Sequence, residues 1–199
     1  MTRVLISTIY VFEPIIASAT KIGADRLILL VDKEPDERQQ KSINVIKQSL
    51  GTVLEIKTVA TDIYDIVDVA KETVKIIDLM SDKDEIYVDI TAGRKTKALG
   101  LLFGAYARVN RVKRIMYVKE EDKSIVSLPR LSYSLSSGQH KIVNYLINHE
   151  VTSMSRFANK IELSQAMLYK HIRELKEMDI IEETKEGLKV TDYGKIIIL

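Results

Sequence analysis

The segment Tyr87–Lys97 carries the residues best suited to chemistry in this chain, because an apolar strand runs into a small-residue turn and then a cationic helix. That helix is expected to open with Arg94, Lys95 and Lys97. A helix N-terminus carries a partial positive charge, so acidic residues are the stabilising choice there. Three cations at this place favour a bound anion, most simply a phosphate, on the turn. No acidic residue occurs between positions 90 and 119.

The elements that must position this turn alternate between short apolar runs and helical patterns. Such alternation predicts an α/β domain over residues 1–130, with a Rossmann-like, mostly parallel, doubly wound sheet. Predicted strands are Val4–Ile9, Arg26–Val31, Val53–Val59, Glu85–Ile90 and Arg114–Lys119, with Ile125–Leu128 as an added edge strand. Predicted helices are Glu13–Ile22, Pro35–Leu50, Asp62–Met80 and Arg94–Val109.

Ligands of open α/β sheets bind at the carboxyl ends of the strands, which makes two loops candidates. One follows the first strand and the other is the turn before the cationic helix. Gly93 allows a close approach of the backbone, and the hydroxyls of Ser7, Thr8 and Thr91 could bond ribose or phosphate. The alternative is that Thr91 only caps the helix and the cations are solvated. The motifs GxGxxG and GxxxxGK[ST] are absent, which disfavours an ordinary dinucleotide or P-loop site.

The remaining chain has a different pattern, with a polar linker at residues 131–137 and a second domain at residues 138–199. Predicted helices cover Gly138–Asn148, Met154–Lys160 and Ser164–Met178, the second capped by Ser153 or by Thr152 and Ser153 together. A hairpin is expected around the turn at residues 185–187. Three helices and a hairpin predict a winged helix-turn-helix.

The third helix of this domain is the candidate DNA-reading element. Its apolar positions predict that Met167, Leu168, Ile172 and Leu175 face the core. The residues expected to contact DNA, including two from the hairpin, are Ser164, Gln165, Ala166, Tyr169, Lys170, Arg173, Lys185 and Lys189. Such groups can bond base edges or phosphates. The alternative is a domain used only for dimerisation or protein contact. Its basic and acidic residues balance, which argues for modest non-specific affinity for nucleic acid.

Composition excludes several classes of site. The chain of 199 residues has no cysteine, so disulfides, thiolate metal sites and cysteine nucleophiles are excluded. Three scattered histidines, His140, His149 and His171, favour surface positions and no metal site. No apolar run reaches the roughly 18 residues of a membrane span, which favours a cytoplasmic protein. The net charge of +2 means that nucleic-acid binding depends on local patches.

The stretch Asp89-Ile90-Thr91-Ala92-Gly93-Arg94-Lys95 resembles the motif of the CRISPR-associated Rossmann fold (CARF) family, written [DN]-x-[ST]-x-x-x-[RK]. Asp89, Thr91 and Lys95 match it position for position. The order of elements over the whole chain is similar to that of archaeal CARF–winged-helix regulators. Many members carry a second glycine in the turn, where this chain has Ala92.

The resemblance implies a homodimer that binds cyclic oligoadenylate, most often cyclic tetra-adenylate, without a cofactor. It implies a DNA-binding transcription regulator of a type III CRISPR antiviral system. The expected ligand-binding residues are Ser7, Thr8, Ile9, Tyr10, Asp89, Thr91, Ala92, Gly93, Arg94, Lys95 and Lys97.

Two alternatives remain open from the sequence. Some similar proteins are metal-independent ring nucleases, in which a ribose 2′-hydroxyl attacks its neighbouring phosphate. In that case Ser7 would orient the ribose and Lys95 would stabilise the transition state. The other alternative is a non-catalytic dimeric scaffold.

Overall fold

The structure is a computed structural model that describes residues 1–129, 135–151 and 153–199. The chain divides into two compact units, a first unit of residues 1–132 and a second unit of residues 133–199. Residues 131–134 of the predicted linker, and Thr152 of the predicted helix cap, lie outside the described residues.

The first unit is built on a six-stranded sheet with the strand order β3-β2-β1-β4-β5-β6. The strands are β1 (Arg3–Thr8), β2 (Arg26–Asp32), β3 (Glu55–Thr61), β4 (Glu85–Asp89), β5 (Val112–Val118) and β6 (Ile125–Ser127). Strands β1 to β5 are parallel, and β6 pairs with β5 in the antiparallel sense. The predicted doubly wound sheet and its antiparallel edge strand are confirmed.

Helices cover both faces of this sheet, which buries its central strands on two sides. They are α1 (Glu13–Ile22), α2 (Glu37–Leu50), α3 (Ile66–Asp78) and α4 (Lys95–Ala107). Alternate residues of β1 point to opposite faces. Ile6 joins the apolar cluster formed with α3 and α4, whereas Leu5 joins the cluster formed with α1 and α2. The two clusters fix the sheet between its helices.

Helix α4 packs closely against α3, and two glycines make this possible. A Cβ atom added at Gly100 would lie 2.5 Å from Val69 Cβ, and one at Gly104 would lie 2.5 Å from Thr73 Cβ. Neighbouring atoms in a packed interior do not approach so closely, so any larger residue would push the helices apart. The helix that these glycines pack against is therefore α3.

The second unit has the helices and hairpin predicted for a winged helix-turn-helix. Its elements are α5 (Ser137–Asn148), α6 (Met154–Lys160), α7 (Gln165–Glu177), β7 (Ile181–Thr184), β8 (Gly187–Val190) and α8 (Asp192–Ile197). Helix α8 was not predicted. Thr191 starts it by accepting a hydrogen bond from the Gly194 amide, and Ile196 is buried. Within the described part of the chain, no helix has both the length and the apolar character needed to span a membrane.

One ion pair of the first unit is almost completely buried. Lys97 Nζ lies 2.8 Å from Asp32 Oδ1, and both side chains are 1% exposed. Burial lowers the pKa of Lys97, and the hydrogen bond to Asp32 opposes that change. Lys97 belongs to the first turn of α4 and Asp32 ends β2, so the pair ties the start of α4 to the carboxyl end of a neighbouring strand.

We predict that Asp32→Asn destabilises the first unit by about 3–5 kcal/mol, because it leaves the Lys97 charge buried without its partner. The double variant Asp32→Asn/Lys97→Met should recover much of this loss. Hydrogen exchange of the β1 and β4 amides measures the stability of this unit.

Lys75→Met is the control, because Lys75 is exposed and pairs with Glu72 on the surface of α3. Its effect should stay below about 1 kcal/mol. An Asp32→Asn variant no less stable than this control would contradict the structural importance of the buried pair.

Candidate functional site

The crevice of the first unit lies where β1 and β4 end side by side. The helices that follow these strands pack on opposite faces of the sheet, which makes this pair the switch point where ligands of such sheets bind. The Thr8 hydroxyl of the β1 loop donates to the Ala92 carbonyl of the β4 turn. Gly93 has φ +99°, and a Cβ atom there would lie 2.6 Å from Thr8 Oγ1. Glycine is therefore required where the two loops touch.

The motif residues Asp89 and Thr91 hold the turn from inside. Asp89 Oδ1 accepts hydrogen bonds from the amide and the hydroxyl of Thr91. Thr91 Oγ1 in turn accepts from the Val118 amide of β5, at 2.7 Å. Asp89 is fully buried, and burial raises the pKa of its carboxyl group while the hydrogen bonds from Thr91 oppose the rise. These two motif residues shape the turn and leave Lys95 as its outward member.

The helices that begin at this crevice lack the caps found elsewhere in the described residues. Neither α1 nor α4 has a hydrogen-bonding side-chain cap. The other six helices are capped by Asp36, Asp65, Ser136, Ser153, Ser164 and Thr191. Helix α4 also has no acidic residue in its first turn. Its first amide groups are therefore open to an anion, which both the free N–H groups and the helix dipole favour.

The three cations at the start of α4 have different environments. Lys95 is exposed and has no hydrogen bond or ion pair with a described residue. Arg94 is engaged more loosely, with Nε 3.5 Å from Asp32 Oδ2 and Nη2 3.5 Å from Asp36 Oδ2. Lys97 points inward to its buried partner. Only Lys95 is thus a free surface cation, and Arg94 is held beside it.

Sequence reasoning missed the corner between β2 and α2, which lines the same crevice. The Tyr10 ring has the guanidinium groups of Arg94 and Arg38 each 5.1 Å from its centroid. Its hydroxyl donates to Asp36 Oδ2 at 3.1 Å. The pKa of Asp36 is lowered, first by the hydrogen bond from the Gln39 amide and further by Tyr10 and Arg94.

A signal for this corner was present in the sequence. Asp32 ends an apolar strand, and the carboxyl ends of parallel strands meet at one edge of the sheet. The strand order needed to bring β2 beside β1 was not readable from the residues alone.

The eleven candidate ligand residues fall into two groups. Those at the accessible or half-buried surface are Tyr10, Thr91, Gly93, Arg94 and Lys95. Those that are buried are Ser7, Thr8, Ile9, Asp89, Ala92 and Lys97. The Ser7 hydroxyl donates to the Thr8 carbonyl at 2.9 Å. Ser7, Thr8 and Lys97 were expected to face a ligand. They lie instead beneath the loops, where each side chain already bonds to a protein group.

In the second unit, α7 presents the predicted polar residues to solvent. The exposed ones are Ser164, Gln165, Ala166, Tyr169, Lys170, Arg173 and, on the hairpin, Lys185 and Lys189. Two predictions for α7 were wrong. Met167 is 43% exposed rather than in the core, and His171 is 7% exposed rather than on the surface.

The reversal at His171 has a local cause. Gly138 of α5 leaves room for the ring, since a Cβ atom there would lie 2.8 Å from His171 Nε2. The other ring nitrogen, Nδ1, lies 3.0 Å from Glu174 Oε2. This hydrogen bond is the first cause of the lowered pKa of Glu174. Among residues 1–129, 135–151 and 153–199, no group of three acidic or histidine side chains could hold a metal ion.

Two protein-family models match the chain. The model described as "HFX_2341_N:-like, N-terminal" matches residues 5–123, and the Mga helix-turn-helix domain matches residues 127–190. A comparison with curated protein sequences finds no match.

Solved structures with a similar fold include Can2 from Sulfobacillus thermosulfidooxidans in complex with cyclic tetra-adenylate, at 14% identity and a TM-score of 0.50. Csm6 from Enterococcus italicus, bound to cyclic hexa-2'-fluoro-hexa-dAMP, has 13% identity and a TM-score of 0.54. Protein VC1899 from Vibrio cholerae has 10% identity and a TM-score of 0.53. The matches cover 98%, 90% and 98% of this chain, but only 63%, 55% and 63% of those chains.

These matches confirm the fold class that the sequence predicted, a mostly parallel α/β sheet followed by a helix-turn-helix domain. Because the first family model covers more than half of the residues, the chain belongs to the HFX_2341_N:-like, N-terminal family, with a helix-turn-helix domain after it.

Proposed function

We propose that this protein is a homodimeric sensor of cyclic oligoadenylate that regulates transcription by binding DNA. The observation that carries the proposal is the start of α4. An uncapped helix at the switch point of the sheet carries a free Lys95 and no acidic residue in its first turn. Such a start is suited to the phosphate of a ligand. Two relatives of the fold, Can2 and Csm6, were solved with cyclic oligonucleotides, which supports that ligand class.

Within the proposed site, Lys95 supplies a point charge for one phosphate. The amide groups at the start of α4 supply hydrogen bonds to its oxygens. Tyr10 offers an aromatic surface, already flanked by Arg94 and Arg38, at the side of the crevice. A ring of several phosphates needs more than one such start of α4, and a twofold dimer provides the same loops twice. Cyclic tetra-adenylate suits this symmetry.

The dimer is supported by the outer face of α4, which is apolar. Leu99 is 43% exposed, and Phe103, one turn further along, is only partly buried. A surface helix of a monomer normally turns charged residues to water. Between Thr96 and Ala107, the one charged residue of this helix is Lys97, which is buried. A second copy of the first unit is the partner that suits this face, because it brings two Lys95 side chains to one ligand.

The geometry favours binding over cleavage. Ser7, which would have to orient a ribose in the ring-nuclease alternative, is fully buried and bonded to the Thr8 carbonyl. We therefore propose sensing rather than catalysis as the function, and a separate incubation with the ligand tests whether the ring is cleaved.

We predict that Lys95→Ala weakens binding of cyclic tetra-adenylate about 10- to 100-fold, because a charge-assisted contact to phosphate contributes about 1.5–3 kcal/mol. Isothermal titration of the full chain measures this. The control is Lys71→Ala, which removes an exposed cation from the middle of α3.

Chromatography of the ligand after a long single-turnover incubation with the wild-type chain should return an intact ring. Equal affinities of Lys95→Ala and wild type for cyclic tetra-adenylate would contradict the proposed ligand site. Linear products that disappear in Lys95→Ala would establish the nuclease instead.

We predict that saturating cyclic tetra-adenylate changes the affinity for DNA upstream of the protein's own gene about 5- to 150-fold, the usual range of coupling free energies. Gel shifts at one stated salt concentration, with and without ligand, measure the change. In Lys95→Ala the same change should need about 10- to 100-fold more ligand, while the ligand-free DNA affinity stays at the wild-type value. An unchanged DNA affinity with saturating ligand would contradict regulation by the ring.

A further inference from the structure

The second unit carries its charges in two opposed blocks along the chain. Residues 153–173, which include α6 and most of α7, have four basic side chains and one acidic one. Residues 174–190, which include the hairpin β7–β8, have three basic and six acidic side chains. The whole unit is close to neutral, so this division decides which part of it can approach a polyanion.

The basic block offers cations that are available to a partner. Arg156 is exposed on α6 and its side chain has no partner among the described residues. Lys170 Nζ lies 3.8 Å from Glu174 Oε1, and Arg173 Nε lies 3.9 Å from Glu177 Oε1. These last two are long, exposed pairs, which contribute little and are easily exchanged for a phosphate.

The cations of the hairpin are matched or outnumbered by carboxylates. Lys189 is bonded to Glu186, and its pKa is raised, first by that hydrogen bond and further by Glu150 and Glu182 nearby. Glu183 holds Lys176 of α7. Lys185 remains without a partner among the described residues, but it lies between Thr184 and Glu186 at the tip of an acidic hairpin. Carboxylates brought against phosphates would repel them.

We propose that duplex DNA contacts the second unit through α6 and α7 alone, with Arg156 as a phosphate contact, while the acidic hairpin stays off the duplex. The inference rests on the DNA binding proposed above, and it removes Lys185 and Lys189 from the contact set that the sequence suggested. The proposal also assigns a contact to exposed Met167, because an apolar side chain at the start of a DNA-recognition helix can contact a thymine methyl group.

The test is the salt dependence of affinity for a short random-sequence duplex, measured by fluorescence anisotropy with the full chain. Each phosphate contact adds about 0.9 to the magnitude of the slope of log K against log salt concentration. We expect Arg156→Ala to lower that magnitude by about 0.9 for each second unit on the duplex, which is about 1.8 for a dimer bound through both, and Lys170→Ala to lower it similarly. The double variant Lys185→Ala/Lys189→Ala should keep the wild-type slope.

Lys195→Ala is the control, because Lys195 is an exposed cation of α8 paired with Asp192 at 2.8 Å. A lower slope in the hairpin double variant, or an unchanged slope in Arg156→Ala, would overturn the inference and leave DNA binding intact. If the wild-type chain binds no duplex even at the lowest salt concentration, the proposed DNA-binding function itself fails. These outcomes are distinguishable in one set of titrations.

Discussion

The buried ion pair between Lys97 and Asp32 is the constraint on which the candidate ligand site depends. A buried pair is not a strong source of stability, because the two charges lose their hydration when they leave water. Its value here is positional. It draws the first turn of α4 against the end of β2, and the close packing of Gly100 and Gly104 on α3 holds the rest of the helix. The open amide groups and Lys95 are therefore presented by a helix that is fixed at both ends.

The turn before α4 is fixed as firmly as the helix. Asp89 and Thr91 close it with hydrogen bonds that reach β5, and Gly93 lets it touch the β1 loop. A motif with three specified positions is permissive as a pattern, but two of them are internal supports in this structure. That arrangement explains how so short a motif can specify geometry. The outward position is the one left free to contact a ligand.

The sheet, its helices and the helix-turn-helix were predictable because apolar periodicity records which faces are buried. The sequence predicted the roles of Lys95 and Lys97 only in part. Residues two apart on a helix point to nearly opposite sides, so the sequence implied that one of them turns inward. Which one does so depends on Asp32, a residue 65 positions away. For the same reason His171 was misjudged, because the space that accepts its ring is made by Gly138 on another helix.

The contrast between Arg94 and Lys97 suggests how the site can respond to an anion. Lys97 is inaccessible and close to its carboxylate, whereas Arg94 is about one-third exposed and reaches two carboxylates only at 3.5 Å. The pair with exposed Asp36 is weak at that distance, and a phosphate competes for a guanidinium more effectively than a distant carboxylate does. A phosphate bound at this site would therefore compete for Arg94 and leave Lys97 in place. Because Arg94 also contacts Tyr10 and Asp36, its movement would change the β1 loop and the start of α2 together.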